Sequence, residues 1–203
     1  MCDSEQTPEL SAGSVAPMSS GIEEPDYEVV RKLGDIEVRR YAAYTVAEVL
    51  VAGSTDEAAN WAFPILAGYI FGKNKGHKTL ARTKPVTQAA APIQFAMTAP
   101  VTQVAAPGGF IVQFVLPKGV TLESAPEPSD PRVQLRELPA RTIAAIRYSG
   151  FWSASNYAEH LATLTAVLKA VALRWSGEPA FSRYNAPWTP WFLRRNEIWL
   201  SLR

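Results

Sequence analysis

Two stretches of this chain repeat each other over the length of a small folding unit. Residues 36–63 align with residues 133–160 without a gap, at a constant offset of 97 (133 − 36). Each copy reads as two alternating strands followed by the start of a helix. A solenoid needs about three or more copies to bury its core, so two copies favour one body built from related halves. We therefore predict an α+β domain with pseudo-two-fold symmetry. Two strand-strand-helix-strand halves form a curved sheet or distorted barrel flanked by two helices.

Alternation of apolar and polar residues locates the individual elements. The predicted strands are Tyr27–Leu33, Ile36–Tyr41, Tyr44–Val51, Phe110–Leu116, Val133–Leu138, Arg141–Tyr148 and Glu197–Arg203, with shorter ones near Thr79–Thr83, Ile93–Thr98 and Ala180–Tyr184. The first helix begins at a capping box formed by Ser54 and Glu57. The second helix is predicted from about Ser153 to Trp175, because an apolar stripe at helical spacing continues that far.

Charge is unevenly distributed along the chain. Residues 1–25 hold five carboxylates and no Lys or Arg, which predicts a disordered acidic tail before a single domain at residues 26–203. Without the tail, 14 of the 19 acidic residues remain against all 20 basic ones, a net charge of +6. No carboxylate occurs between Glu57 and Glu123, where the excess cations lie. They are Lys73, Lys75, Lys78, Arg82, Lys84 and Lys118. Such a stretch indicates either a solvated loop or a site for an anionic ligand.

Composition excludes several classes of protein. Cys2 is the only cysteine, so disulfide scaffolds and cysteine-based zinc sites are excluded. No apolar run reaches the roughly 18 residues of a membrane span. The first residues lack the basic start and apolar stretch of a signal peptide, so we expect a cytoplasmic protein. The overall net charge of +1 argues against nucleic-acid binding. No nucleophile elbow, phosphate loop or histidine cluster appears.

The first helix contains no charged residue between Ala58 and Gly72. Both of its faces are apolar. One face comprises Ala58, Trp61, Ala62, Ile65 and Tyr69, and the opposite face comprises Phe63, Ala67, Ile70 and Phe71. A helix on a sheet needs only one apolar face, so the second face should be covered. The candidates for this cover are the chain's own loops, a dimer partner or a ligand.

Several motifs of the chain resemble those of the SOUL haem-binding family. The most recognisable is Phe95-Ala96-Met97-Thr98-Ala99-Pro100-Val101, and the others follow in the family's order at Tyr27–Val29, Ile36–Tyr41, Tyr69–Asn74, Tyr184–Pro190 and Arg194–Trp199. The resemblance covers residues 26–203. It implies two βαβ-type halves flanked by two helices. It also implies non-covalent binding of haem or another tetrapyrrole by a carrier or buffer rather than an enzyme.

The uncharged helix and the basic turn after it define the candidate ligand site. A flat apolar ligand lying on Phe63, Ala67 and Phe71 would present its carboxylates to Lys73, Lys75 and Lys78. Trp191, in a loop that borders the pocket in the family, is the candidate for closing the site. His77 lies in the basic turn and is the candidate iron ligand, because imidazole ligates haem iron. Some animal members of the family carry Arg and Lys along the helix itself. Here the helix has none, so either haem binds differently or another amphipathic anion is the ligand.

Two alternatives belong to other functional classes. A small-molecule hydrolase of the related two-fold architecture would need a buried carboxylate facing a pocket. Glu48 is the candidate, and we expect it on the exposed face of its strand. An effector-sensing or interaction module would instead use the apolar helix for a protein partner, including a second copy of the chain. His160 is expected at the surface or boundary of the second helix.

Overall fold

Nine antiparallel strands and two α-helices make up the computed structural model, which describes residues 22–76, 91–186 and 188–203, apart from the side chain of Asp56. The strands are β1 (Tyr27–Leu33), β2 (Ile36–Tyr41), β3 (Tyr44–Val51), β4 (Val101–Ala106), β5 (Gly109–Val115), β6 (Gln134–Leu138), β7 (Arg141–Tyr148), β8 (Trp175–Arg183) and β9 (Asn196–Leu202). The helices are α1 (Thr55–Ile70) and α2 (Ala154–Ala170), and a short 3-10 turn spans Trp191–Leu193.

The strand order of the sheet is symmetric about its centre. The order is β1-β2-β7-β9-β8-β4-β5-β3-β6. Exchanging β2 with β6, β3 with β7, β4 with β8 and β5 with β9 reproduces the same order, with β1 as an extra edge strand. The bounds of β3 and β7 are related residue for residue by the offset of 97. The predicted α+β architecture with pseudo-two-fold symmetry is therefore confirmed.

Two short turns force the sheet to curve. Residues 42–43 join β2 to β3, and residues 139–140 join β6 to β7, although each turn links strands near opposite ends of the order. Because one residue spans at most about 3.6 Å, the two ends of the sheet must approach each other. Arg141 Nη2 donates to the Tyr44 hydroxyl at 2.8 Å across this junction. The sheet is thus open in its hydrogen bonding and strongly curved, close to a distorted barrel.

Each helix covers its own half of the sheet. α1 packs on β3 and β5, and α2 packs on β7 and β9. Leu66 of α1 and Leu164 and Leu168 of α2 are fully buried in these two apolar cores. Burying such a side chain stabilises the fold by about 1.5–3 kcal/mol. Within the described part of the chain, no helix has the length and apolarity needed to cross a membrane.

The structure differs from the sequence prediction at two elements. The strand predicted near Ile93–Thr98 is absent apart from a single bridge at Thr98, and the strand β4 follows it instead. The helix α2 ends at Ala170 rather than near Trp175. Ala172 takes a left-handed conformation, with φ of 56°, and Leu173 N donates to Leu168 O at 2.9 Å. A left-handed residue with this hydrogen bond is a common way for a helix to end. The later apolar residues of the stripe therefore belong to the β8 region rather than to the helix. The strand predicted near Thr79–Thr83 lies outside the described residues.

Candidate functional site

A capping box fixes the start of α1, as the sequence predicts. The Ser54 side chain accepts a hydrogen bond from Glu57 N, and the Glu57 carboxylate accepts one from Ser54 N at 2.9 Å. Most of the helix residues that pack against the body of the protein are small or aliphatic. The buried residues are Ala58, Ala62, Leu66, Ala67, Tyr69 and Ile70. The cap and this stripe together set which face of α1 points away from the sheet.

Three aromatic side chains are accessible on different sides of α1 and at its C-terminal cap. Trp61 is 67% exposed, Phe63 43% and Phe71 55%. Ala67 is buried between Phe63 and Phe71 along the same flank of the helix. The Phe63 ring meets Phe114 of β5 edge-on, with 5.5 Å between centroids. The structure therefore brings Phe63, Ala67 and Phe71 together as one apolar strip, about 12 Å long at helical rise.

Trp61 does not lie on the sheet-facing side where the sequence pattern placed it. At 100° per residue Trp61 is about 140° from Leu66, the centre of the buried stripe. Trp61 lies three or four residues from other apolar side chains, which is the spacing of a buried stripe. Only the packing of α1 on β3 and β5 shows which residues are buried. Trp61 is consequently an exposed aromatic residue on the other side of α1 from Phe63. Ala67 and Ile70, which the pattern placed on the opposite face, are instead buried.

The basic turn after α1 is held rigidly against the helix. Lys73 N donates to Gly68 O at 2.8 Å, and the Lys73 side chain lies over Gly68, where an added Cβ would be 3.0 Å from Lys73 Cδ. Asn74 is buried and its side-chain nitrogen donates to Tyr69 O at 3.1 Å and to Ile93 O at 2.7 Å. The aliphatic part of the Lys73 side chain is thereby kept along the end of α1, over Gly68. A solvated loop, one of the two predictions for the basic stretch, therefore does not describe residues 73 and 74.

The remaining predicted site residues are placed in different ways. Lys75 is exposed and pairs with Glu127, at 2.6 Å between Nζ and Oε1. His77 and Lys78 lie outside the described residues. Trp191 belongs to the β8–β9 loop, where its ring stacks on Phe151 at 5.3 Å. The described contacts join Trp191 to the β7–α2 connection and to its own neighbour Phe192 rather than to α1.

His160 is packed on the second half of the molecule. Its ring stacks on Tyr148 with 4.2 Å between centroids, and Nδ1 lies 2.7 Å from Asn156 O. The side chain is half-buried at the helix boundary. Among the described residues, no group of three or more His, Cys, Asp or Glu could hold a metal ion.

The inner face of the curved sheet, away from both helices, contains a buried charged cluster centred on Glu197. Arg39 donates to its carboxylate through Nη1 at 2.7 Å and Nη2 at 3.1 Å, and Arg195 donates through Nε at 3.0 Å. The Tyr184 hydroxyl and Trp199 Nε1 add bonds of 2.9 and 2.7 Å. Burial alone would raise the pKa of Glu197, but the bonds and charges of Arg39 and Arg195 outweigh it and hold that pKa below its ordinary value. Glu197 is therefore an ionised acceptor whose bonding capacity is used within the fold.

Glu48 lies on the same inner face, which corrects the expectation that it is exposed. The residue is only 8% exposed and accepts a hydrogen bond from Gln113 Nε2 at 2.7 Å. The expectation fails because β3 lies between β5 and β6 in a sheet that curves over its own inner face. A buried carboxylate, which the hydrolase alternative requires, is thus present.

A cleft of about 280 Å³ opens between residues 23–26 and the β5–β6 loop. Its lining carboxylates are Glu23, Glu24, Asp26 and Glu137. Neither Glu48 nor Glu197 is among the residues that line it. The buried carboxylates Glu48 and Glu197, which the hydrolase alternative would use, therefore do not face this cleft.

Residues 22–26 contact the body of the protein. Ala99 N donates to Glu23 O at 2.9 Å, and Arg195 Nη1 donates to the Glu24 carboxylate at 2.8 Å. Lys118 Nζ pairs with Asp26 at 2.6 Å. Of the predicted acidic tail, residues 1–21 lie outside the described residues.

Comparison with solved structures shows the fold. A hydrolase from Listeria innocua aligns with a TM-score of 0.57 and 13% identity, over 86% of this chain and 94% of that one. The C-terminal domain of EcmrR aligns with a TM-score of 0.54 and 12% identity, over 87% of this chain and 98% of that one. At such identities the likeness concerns architecture alone.

Comparison of sequences identifies the family. Heme-binding protein 1 of Mus musculus is 27% identical over 146 residues, 71% of this chain and 72% of that protein. Heme-binding protein 1 of Sus scrofa is 26% identical over 150 residues, 71% of each chain. The family profile described as SOUL heme-binding protein matches residues 22–201, almost all of the described chain. On this match, and with the two-fold sheet it accompanies, the chain belongs to the SOUL heme-binding protein family.

Proposed function

We propose that this protein binds haem or another tetrapyrrole non-covalently along the flank of α1 formed by Phe63, Ala67 and Phe71, and carries or buffers it in the cytoplasm. One observation carries the proposal. Phe63 and Phe71 remain 43% and 55% exposed on a stretch that carries no charge from Ala58 to Gly72, directly before the cationic turn at Lys73. Family membership supports haem as the ligand.

The chemistry of the surface fits an amphipathic anion. The macrocycle would lie on Phe63, Ala67 and Phe71, and its carboxylates would meet Lys73 and then Lys75. Lys75 would exchange its exposed partner Glu127 for the ligand, which costs little because exposed ion pairs contribute about 0–1 kcal/mol. Lys78 follows along the chain as a third candidate cation. His77 stays the proposed iron ligand.

The apolar contact supplies most of the expected affinity. Burying the exposed part of an aromatic side chain contributes on the order of 1.5 kcal/mol. Removing Phe71 should therefore weaken binding about tenfold, because 1.4 kcal/mol corresponds to a factor of ten in Kd. Phe71 is a suitable probe because its ring is more than half exposed at the helix end.

Titration with hemin, followed at the Soret band, tests the proposal. The wild-type chain should give a saturable shift at micromolar protein, and Phe71→Ser should raise the Kd about tenfold. Leu50→Ser is the matched control, because Leu50 is 54% exposed and lies on β3 rather than α1. Absence of a saturable shift would refute haem binding, and equal losses in both variants would refute the α1 site.

A second measurement separates a carrier from a protein that holds its haem permanently. The haem-loaded chain is mixed with excess apomyoglobin, whose spectrum reports transfer. A carrier on whose surface the ligand lies half-exposed should release haem to this acceptor. Retention of the haem by the chain would contradict the carrier role and leave the binding site intact.

A further inference from the structure

A second exposed apolar surface lies where the β7–α2 and β8–β9 connections meet, far along the chain from α1. Five large apolar side chains form it, and we call it the aromatic end. They are Phe151, Trp188, Trp191, Phe192 and Leu193, which are 59%, 86%, 49%, 58% and 63% exposed. Soluble monomers rarely expose so many adjacent large apolar side chains unless the surface binds something. The surface takes no part in the binding proposed for Phe63, Ala67 and Phe71.

The aromatic end is presented by a well-bonded backbone. Gly150 N donates to Trp191 O at 3.0 Å, which ties the two connections together. Leu193 N donates to Pro190 O at 2.9 Å, closing the 3-10 turn. The Trp191 ring stacks on Phe151 at 5.3 Å and meets Phe192 edge-on at 5.6 Å. The Phe151, Trp191 and Phe192 rings are therefore ordered by mutual contact on a bonded backbone, so they lose little conformational entropy when they bind.

The electrostatic surroundings of the aromatic end are cationic. Residues 149–153 and 184–195 contain no carboxylate. The guanidinium groups of Arg183 and Arg194 lie over the Trp152 ring, at 4.6 and 4.4 Å from its centroid. The first turn of α2, which begins beside Phe151, contains no acidic residue that would offset the positive end of the helix dipole. The surface thus combines hydrocarbon and aromatic tips with positive charge behind them.

We propose that the aromatic end docks this protein onto the surface of an anionic lipid bilayer. Trp and Phe side chains favour the headgroup level of a membrane, where an aromatic ring is partly apolar and partly wet. The positive charge of the half-buried Arg183 and Arg194 behind them would attract an anionic surface, and a cation near such a surface contributes about 1 kcal/mol. Leu193 favours lipid over nucleic-acid bases, because an aliphatic side chain offers no ring on which a base could stack.

Co-sedimentation with vesicles tests this proposal. The full chain is mixed with phosphatidylcholine vesicles containing about 30 mol% phosphatidylserine, and with vesicles of phosphatidylcholine alone. The wild-type chain should partition onto the anionic vesicles, and added salt should weaken the partitioning. The triple variant Trp188→Ser/Phe192→Ser/Leu193→Ser should reduce it by about tenfold or more. All three side chains are exposed, so the thermal unfolding of this variant should match the wild type.

The matched control removes exposed aromatics elsewhere. The double variant Trp61→Ser/Phe71→Ser changes α1 and its C-terminal cap, and it should leave vesicle binding unchanged. Failure of the wild-type chain to bind anionic vesicles, or equal binding by the triple variant, would overturn the proposal. Loss of binding in the α1 variant alone would also overturn it. A dimer seen by light scattering and abolished by the triple variant, without vesicle binding, would assign the surface to a second copy instead. Failure of haem binding leaves this test unaffected.

Discussion

Arg39 and Glu197 form a two-point ion pair that connects β2 to β9 across the intervening strand β7. The two bonds measure 2.7 and 3.1 Å, and the side chains are 3% and 0% exposed. The partners are 158 residues apart in sequence, so the pair forms only when the sheet is complete. A buried charge without its partner is strongly unfavourable, so removing either side chain should destabilise the folded protein.

Removing the carboxylate charge should destabilise the protein strongly. Glu197→Gln leaves Arg39 and Arg195 buried without their counter-ion, and breaking a buried pair costs about 3–5 kcal/mol. Urea denaturation should show the free energy of unfolding falling by about 3 kcal/mol. The control Glu178→Gln removes an exposed carboxylate from β8 and should change it by less than about 0.5 kcal/mol. Similar small losses in both variants would show that the pair does not stabilise the fold.

Acidification should remove the same stabilisation. The pKa of Glu197 is lower in the folded protein than its ordinary value of 4.5. The unfolded chain therefore binds more protons in the acid range, and stability present above pH 4.5 is lost as the pH falls through the folded pKa. Unfolding free energies measured between neutral and acid pH should fall below about pH 4.5. The slope should be shallower for Glu197→Gln, and identical slopes would contradict the assignment.

Charge reversal in the basic turn should weaken binding of an anionic ligand. Lys73→Glu places a carboxylate beside the apolar strip and should raise the Kd for hemin about fivefold to tenfold at low salt. Lys32→Glu changes the net charge equally, and its side chain is 70% exposed on β1. Its Kd should stay near the wild-type value. Equal effects of both changes would indicate a general charge effect rather than contact with Lys73.

The proposed iron ligand is tested by spectroscopy rather than by affinity. His77→Ala should shift the Soret maximum of the hemin complex, because loss of an imidazole changes the ligand field of the iron. His160→Ala is the control, since His160 is packed against Tyr148 on the other helix. An unchanged spectrum of the His77→Ala complex would remove His77 as the ligand.

Local patterns predict the elements of this fold better than they predict its surfaces. The bounds of β2 and β3 and the cap at Ser54 follow from alternation and short-range hydrogen bonding. Trp61 and Glu48 were assigned to the wrong sides of their elements, because exposure depends on neighbours that are distant in sequence. The end of α2 was missed for a related reason. The apolar pattern alone does not distinguish a helix that continues to Trp175 from a strand that begins there.

Part of the candidate site could be predicted as well. An uncharged helix followed by a basic turn is visible in the sequence, and the structure keeps Phe63, Ala67, Phe71 and Lys73 together. Asn74 ends the family motif Tyr69–Asn74, but the motif does not show that its side chain ties the turn to α1. Arg39 and Glu197 likewise lie in separate motifs, and only the pairing of distant strands shows that they meet.

Mapping the ligand by NMR tests the central claim most directly. Zinc protoporphyrin is diamagnetic, so it can be titrated into the isotope-labelled full chain while amide shifts are followed. We predict the largest changes at Phe63, Ala67, Phe71 and Lys73. Changes concentrated instead on the inner face around Glu197, or at the cleft beside Glu23 and Glu24, would contradict binding along this flank of α1.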